Sequence, residues 1–221
     1  EPISKKGQLM LTYNPSYTKS KADKETDSAN ISTGEYSNLD TLLSNKYNNT
    51  YITQRGGLSY RLGDKKLNFM VGANMQYATL QGNETFPLSY PLEKSFTNIL
   101  PQAMFNYRYA DGKNLRIMYR TNTVAPAISQ LQNVVDISNP LLLKTGNADL
   151  KQDFEQTLTL RFGKTKAGNA HNFFVFLYAN YINDYIGNTT LIPTHDSVYS
   201  QGITIKKGSQ LTLPINLDGY F

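Results

Sequence analysis

The residues of this 221-residue sequence that could carry chemistry are few and scattered. There is no cysteine, and the two histidines, His171 and His195, fall in a turn and a loop. Neither has a metal-ligating partner at helical or hairpin spacing, so neither reads as a ligand. Asp23, Glu25 and Asp27 are interrupted by Lys24 and lack the glycine of a calcium loop. Gly163-Lys164-Thr165 ends like a phosphate-binding loop, yet Leu158 stands where that motif requires glycine. No carboxylate pair is identifiable. The expectation is no enzyme, no resident metal and no cofactor.

The arginines are better ordered. All six (Arg55, Arg61, Arg108, Arg116, Arg120 and Arg161) fall on the polar side of segments in which apolar and polar residues alternate. The lysines sit almost entirely in loops, turns and ends. A period of two means β-strands with one apolar and one wet face. Around the chain's most informative stretch, Leu115, Ile117 and Tyr119 oppose Arg116, Met118 and Arg120. Farther on, Phe154, Leu158, Leu160 and Phe162 oppose Glu155, Thr157, Thr159 and Arg161. Some thirty residues separate the two arms, far more than a compact hairpin needs.

The same alternation marks 8–18, 51–62, 67–80, 96–109, 172–185 and 210–217, giving about eight strands in an antiparallel meander. Pro101 lies inside one of them and predicts a bulge or a broken ladder, because proline cannot donate to a neighbour. Tight turns are expected at Gly63-Asp64-Lys65-Lys66 and at Ala110–Asn114. Long polar loops are expected at 19–46, 81–95, 122–152 and 187–209. Short turns at one end and long loops at the other is the pattern of outer-membrane barrels.

Composition agrees. Hydrophobic content is 39%, too low for a thick two-sided core, whereas Tyr (16) and Phe (10) are abundant. No apolar run is long enough for a transmembrane helix, which does not bear on barrel strands. The net charge of +5 is scattered rather than clustered, so nucleic acid is not an expected partner. Tyr13, Tyr17, Tyr51, Tyr60, Phe105, Tyr109, Phe162, Phe173 and Tyr185 lie toward strand ends, where interfacial aromatic girdles belong. A soluble calyx or sandwich binding a small ligand or sugar through its loops would sort charges identically. It differs in requiring the apolar set to face inward.

The loop region adds a signature: Arg120, Ala125-Pro126, Ile128, Gln130-Leu131-Gln132, Asp136, Ser138-Asn139-Pro140, Leu143, Gly146-Asn147 and Leu150-Lys151. It resembles the barrel portion of TonB-dependent receptors and the outer-membrane β-barrel proteins allied to them. Pro214–Tyr220 is similar to the same family, so the resemblance spans nearly the whole chain. Gln152-Asp153 stands where the wider class usually carries Pro-Glu, and Ala148 replaces a frequent proline.

The resemblance implies an outer-membrane location in a Gram-negative bacterium and contact with outer-membrane lipid. It also implies a parent protein that takes up a scarce nutrient, a glycan or a chelated metal. In that parent a plug domain and a TonB-type energy-coupling partner are expected. This chain is expected to be a single barrel section, 1–221, without the plug domain or signal peptide. Such transporters have about 22 strands. The terminal Phe221 also suits a complete small barrel. On the barrel reading the six arginines line a water-filled lumen.

Overall fold

A computed structural model describes residues 6–29, 34–39, 44–86, 90–132, 141–166, 171–193, 197–200, 203–206 and 208–220. Eight long strands dominate it: β1 (Gly7–Lys24), β4 (Asn45–Gly63), β5 (Leu67–Phe86), β6 (Tyr90–Ala110), β7 (Lys113–Val124), β9 (Asp153–Lys166), β10 (His171–Leu191) and β13 (Gln210–Tyr220). Short elements fill the connections. These are β2 (Asp27–Ala29), β3 (Tyr36–Leu39), the helical turn α1 (Ile128–Leu131), β8 (Leu142–Lys144), β11 (Ser197–Ser200) and β12 (Ile203–Lys206). The sheet order is β1-β4-β5-β6-β7-β9-β10-β13-β8, antiparallel throughout except for the final β13/β8 pair. Two small ribbons, β2/β3 and β11/β12, stand apart.

Directly opposed residues share a face, so the registers fix which side each residue occupies. One row runs Leu9, Tyr60, Val71, Ala103, Tyr119, Leu158, Ala179 across seven strands. The row behind it on the opposite face runs Ser59, Gly72, Gln102, Arg120, Thr157, Asn180. The first face is apolar and open: Leu11 is 84% exposed, Ile99 67% and Met75 61%. The inward-facing apolar set that a soluble calyx requires is therefore not what the fold presents. What the apolar face excludes is water, and a lipid layer would supply the burial.

Aromatics bound that face at both levels. Toward the short turns, Phe105, Tyr107, Tyr109, Phe162 and Phe173 form a chain of rings with successive centroids 6.3, 6.1, 6.3 and 6.1 Å apart. Toward the long loops, the hydroxyl of Tyr77 donates to Ser95 Oγ (3.2 Å) and that of Tyr119 to Gln156 Oε1 (2.9 Å). On β5 the band from Phe69 to Tyr77 covers roughly 27 Å of strand, or about 20 Å along the membrane normal at a tilt near 40°. Tyr51, expected in a girdle, instead lies on the other face, half-buried and hydrogen-bonded to Gln152.

The expected long loops are partly strand. The ladders of β1/β4 and β5/β6 continue through Lys19–Lys24, Asn45–Thr50, Gln81–Glu84 and Tyr90–Lys94. β10 similarly runs through Gly187–Leu191. Apart from Leu92, which packs under the segment that follows β7, these extensions are mostly polar, as expected where both faces meet water, so the period-two signal fades while backbone pairing persists.

At the opposite end, Asp64 closes the β4/β5 turn by accepting from the backbone N–H groups of Lys66 (2.8 Å) and Leu67 (2.9 Å) and pairing with Lys6 (3.0 Å). The backbone bonds, first Leu67 and then Lys66, with the Lys6 ammonium behind them, hold its carboxyl far below the usual carboxylate range. A depressed folded pKa contributes stability that is complete above the ordinary carboxylate range and erodes as pH falls from there toward the depressed value. Hydrogen exchange at the Lys66 and Leu67 amides is therefore expected to accelerate in Asp64→Ala at neutral pH. In the unsubstituted chain their protection factors, which correct for the slower intrinsic exchange in acid, should fall only on acidification.

At the next turn, Gly112 has φ +68°, and its carbonyl accepts from the Thr165 N–H (2.7 Å). A Cβ there would lie 2.0 Å from the Thr165 carbonyl oxygen, so glycine is required both for the turn and for the contact with its neighbour.

Candidate functional site

The second face carries the features a functional site needs. At its long-loop end the segment after β7 folds back over the sheet as a strap rather than leaving it. α1 delivers Ile128 and Leu131, and the following turn delivers Leu150, onto Leu80 of β5. Leu131 and Leu150 are fully buried, with Tyr51, Leu92, Phe96 and Ile186 packed around them. This is one of two buried apolar clusters among the described residues; the other joins Leu211 and Leu213 of β13 with Leu143 and Ile215.

Backbone and side-chain bonds pin the strap. Gly146 N–H donates to Gln132 O (2.9 Å) and Asn147 N–H to Gln130 O (2.6 Å), while Ala127 N–H donates to Gln130 Oε1 (2.9 Å). Lys94 of β6 donates to the carbonyl oxygens of Ala148 and Leu150 (2.6 Å to the latter). Burial pushes the Lys94 ammonium below the ordinary lysine range, with Asp149 opposing the shift. From β13, Asn216 Oδ1 accepts from Lys151 N–H (2.9 Å), and Asn147 Nδ2 donates to Pro214 O (3.2 Å). Gln152 bridges Asn98 (2.7 Å) and the Tyr51 hydroxyl (2.9 Å).

Below the strap the wall is polar. Arg55 Nε donates to Gln76 Oε1 (2.5 Å), Gln76 Nε2 to Thr123 Oγ1 (2.7 Å), and Arg55 Nη2 to Asn122 Oδ1 (3.0 Å). Gln76 is completely buried in this network. Arg61 bonds Asn68 (3.1 Å). Arg116 and Arg161 face each other directly across β7 and β9, an unfavourable like-charge pairing. Arg161 lies 5.3 Å over the Phe176 ring, and Arg116 reaches Met104 Sδ at 3.8 Å. Arg108 and Arg120 are exposed on the same face. Among the described residues none of the six arginines makes an ion pair; the ion pairs there are Lys6–Asp64, Lys46 with Asp23 and Glu25, and Lys151–Asp184.

The wall also has a seam. The β6/β7 ladder runs only from Gln102 to Ala110, and Pro101, which has no N–H to give, sits where β7 parts from β6. Thr121 Oγ1 still donates to the Pro101 carbonyl (2.9 Å), after which β7 curls toward the strap. The gap holds a cleft of about 460 Å³ lined by Phe96, Thr97 and Asn98 of β6, Lys151 and Gln152 of the strap, and Phe154, Asn183 and Asp184. Asp184, in a β10 bulge at φ +54°, pairs with Lys151 at 3.3 Å.

The sequence signature is thus split in space. Ala125, Pro126, Gln130, Leu131, Gly146, Asn147 and Leu150 come together in the strap. Arg120 stays on the sheet wall, opposite Gln102 and Thr157. Asn139 and Pro140 lie outside the described residues, as do Asp136, Ser138, His195 and Phe221. The strap's partners Lys94, Asn98 and Asn216 were not singled out from sequence. Their only signal is a polar side chain on the wet face near a strand end.

A sequence model of the outer membrane protein β-barrel family matches residues 1–218. The chain belongs to that family. It is accordingly an outer-membrane protein of a Gram-negative bacterium, with its apolar face toward lipid. Among solved structures it is similar to two point mutants of the ferric enterobactin receptor from Pseudomonas aeruginosa. One, in complex with enterobactin, has TM-score 0.47 at 13% identity. The other has TM-score 0.46 at 12% identity. Each alignment covers 97% of this chain and 38% of the receptor chain. No curated protein matches the sequence.

Proposed function

We propose that this outer-membrane chain forms wall and outer loops of a TonB-dependent nutrient receptor and itself catalyses no reaction. A plug domain would occupy the inner face and a TonB-type partner would energise uptake. The observation that carries the reading is the strap: a wall segment folded inward at the long-loop end, above an inner face whose arginines make no ion pair among the described residues. A receptor that must hold a ligand and then release it inward gains a seat for both ligand and plug.

The cationic inner wall favours a plug that presents carboxylates, through charge complementarity. The cargo would be a scarce nutrient such as a glycan or a chelated metal. Energised import makes the test direct. Cells that depend on the full-length protein are expected to lose uptake of the labelled nutrient on adding a protonophore. Uptake that persists without the proton gradient would contradict the proposal.

A further inference from the structure

We infer that the seam cleft between β6 and β9/β10 is a binding site for a neutral saccharide. The inference deepens the uptake proposal by naming a class of cargo and the residues that would touch it.

The cleft's lining decides among ligand classes. Its lysine is already paired with its aspartate, Lys151 with Asp184, so it offers an anion no unspent charge. Its volume of about 460 Å³ is in the range of small-molecule sites and would admit one or two sugar rings. An apolar ligand of that size would leave the open ends of two asparagine amides, on Asn98 and Asn183, without water, at a cost for each unpaired group.

A sugar ring asks for the opposite combination: an aromatic surface for its C–H face, and both donors and acceptors for its hydroxyls. Phe96 and Phe154 supply the surface. Asn98 spends its Nδ2 on Gln152, leaving Oδ1 to accept. Asn183 spends its Oδ1 accepting from Gln156, leaving Nδ2 to donate. Asp184 Oδ2, the remaining Lys151 protons and the exposed Thr97 hydroxyl complete a set of unspent groups among the described residues. The amide bonds to Gln152 and Gln156 also fix the orientation of both asparagines before any ligand arrives, which lowers the cost of ordering them.

The test is saturation-transfer NMR and calorimetry on the whole chain in a sugar-free detergent, with maltose, cellobiose, lactose and mannobiose as probes and citrate and phosphate as anionic comparators. At least one disaccharide is expected to show transfer to its ring protons. Asn183→Ala should weaken that binding ten-fold or more. Thr97→Ala, which removes only an exposed hydroxyl, should weaken it as well while circular dichroism stays unchanged. Binding of none of the four sugars, binding indifferent to both variants, or binding of the anions alone would overturn the inference. Import that remains protonophore-sensitive alongside such a failure would leave the uptake proposal standing and remove only the cleft.

Discussion

Ala73→Arg is expected to destabilise the chain in a bilayer by about 2–4 kcal/mol, the depth-dependent cost of an arginine near the lipid midplane. Ala73 is exposed on the apolar face of β5, between Phe69 and Tyr77, and lies opposite Leu58 and Pro101 in the middle of the band. An arginine there has no water and no anion within reach except by deforming the membrane. Ser16→Arg, on the other face of β1, is the matched comparison and should cost far less, because that face already carries six arginines. Urea unfolding of both variants in lipid vesicles measures the difference. Equal costs would mean that the two faces do not see different solvents.

Leu131→Ala is the second large effect. Its side chain is fully buried against Leu80, Ile128 and Leu150, and truncation leaves a void that a strap tethered at several points can only partly collapse. Large-to-small changes of this kind cost roughly 2–5 kcal/mol. Here the loss should be local, since the sheet's ladders are unaffected: protease cleavage within 125–152 should rise steeply while the β signal holds. Gly146→Ala should act similarly by a different route. Its Cβ would stand 2.3 Å from Gln132 O and 2.7 Å from Gln130 O, so the strap's own backbone contacts would have to open. A global loss of sheet in either variant would show that strap and wall fold as one unit.

How much of this was legible in the sequence follows the physics of each part. Where lipid lies on one side and water on the other, alternation is enforced residue by residue. Leu9–Tyr17, Leu67–Tyr77 and Leu115–Tyr119 therefore announce both strand and face. Beyond the lipid band both faces meet water. Lys19–Lys24 and Gln81–Glu84 then read as loop although their backbones stay paired. The strap was visible only as a long interval with a family signature. Its inward fold depends on bonds from Lys94, Asn98 and Asn216, more than fifty residues away along the chain in each case.

Pro101 is an instructive case. The broken ladder was expected from the missing N–H, but that the break opens a seam and lines it with Phe96 and Phe154 is a tertiary fact. Phe173–Tyr178, apolar on both faces, has a physical account too. Phe173 and Leu177 belong to the lipid face, whereas Phe174, Phe176 and Tyr178 stand exposed on the inner one. The β10/β13 ladder covers only Tyr181–Leu191, so this half of β10 is paired on its β9 side alone.

The measurement that bears most directly on the two-solvent wall uses the absence of native cysteine. Single cysteine substitutions at positions 70, 71, 73, 74, 75 and 76 along β5 (Gly72 is spared because a Cβ there would stand 2.6 Å from Leu58 O), with the chain in lipid vesicles, would be probed with a membrane-impermeant maleimide and with a lipid-dissolved quencher of an attached fluorophore. The account predicts strict alternation. Positions 71, 73 and 75 should be quenched from the lipid and resist the aqueous reagent, and positions 70, 74 and 76 should do the reverse wherever packing leaves them reachable. Uniform labelling, or an alternation of opposite phase, would contradict it.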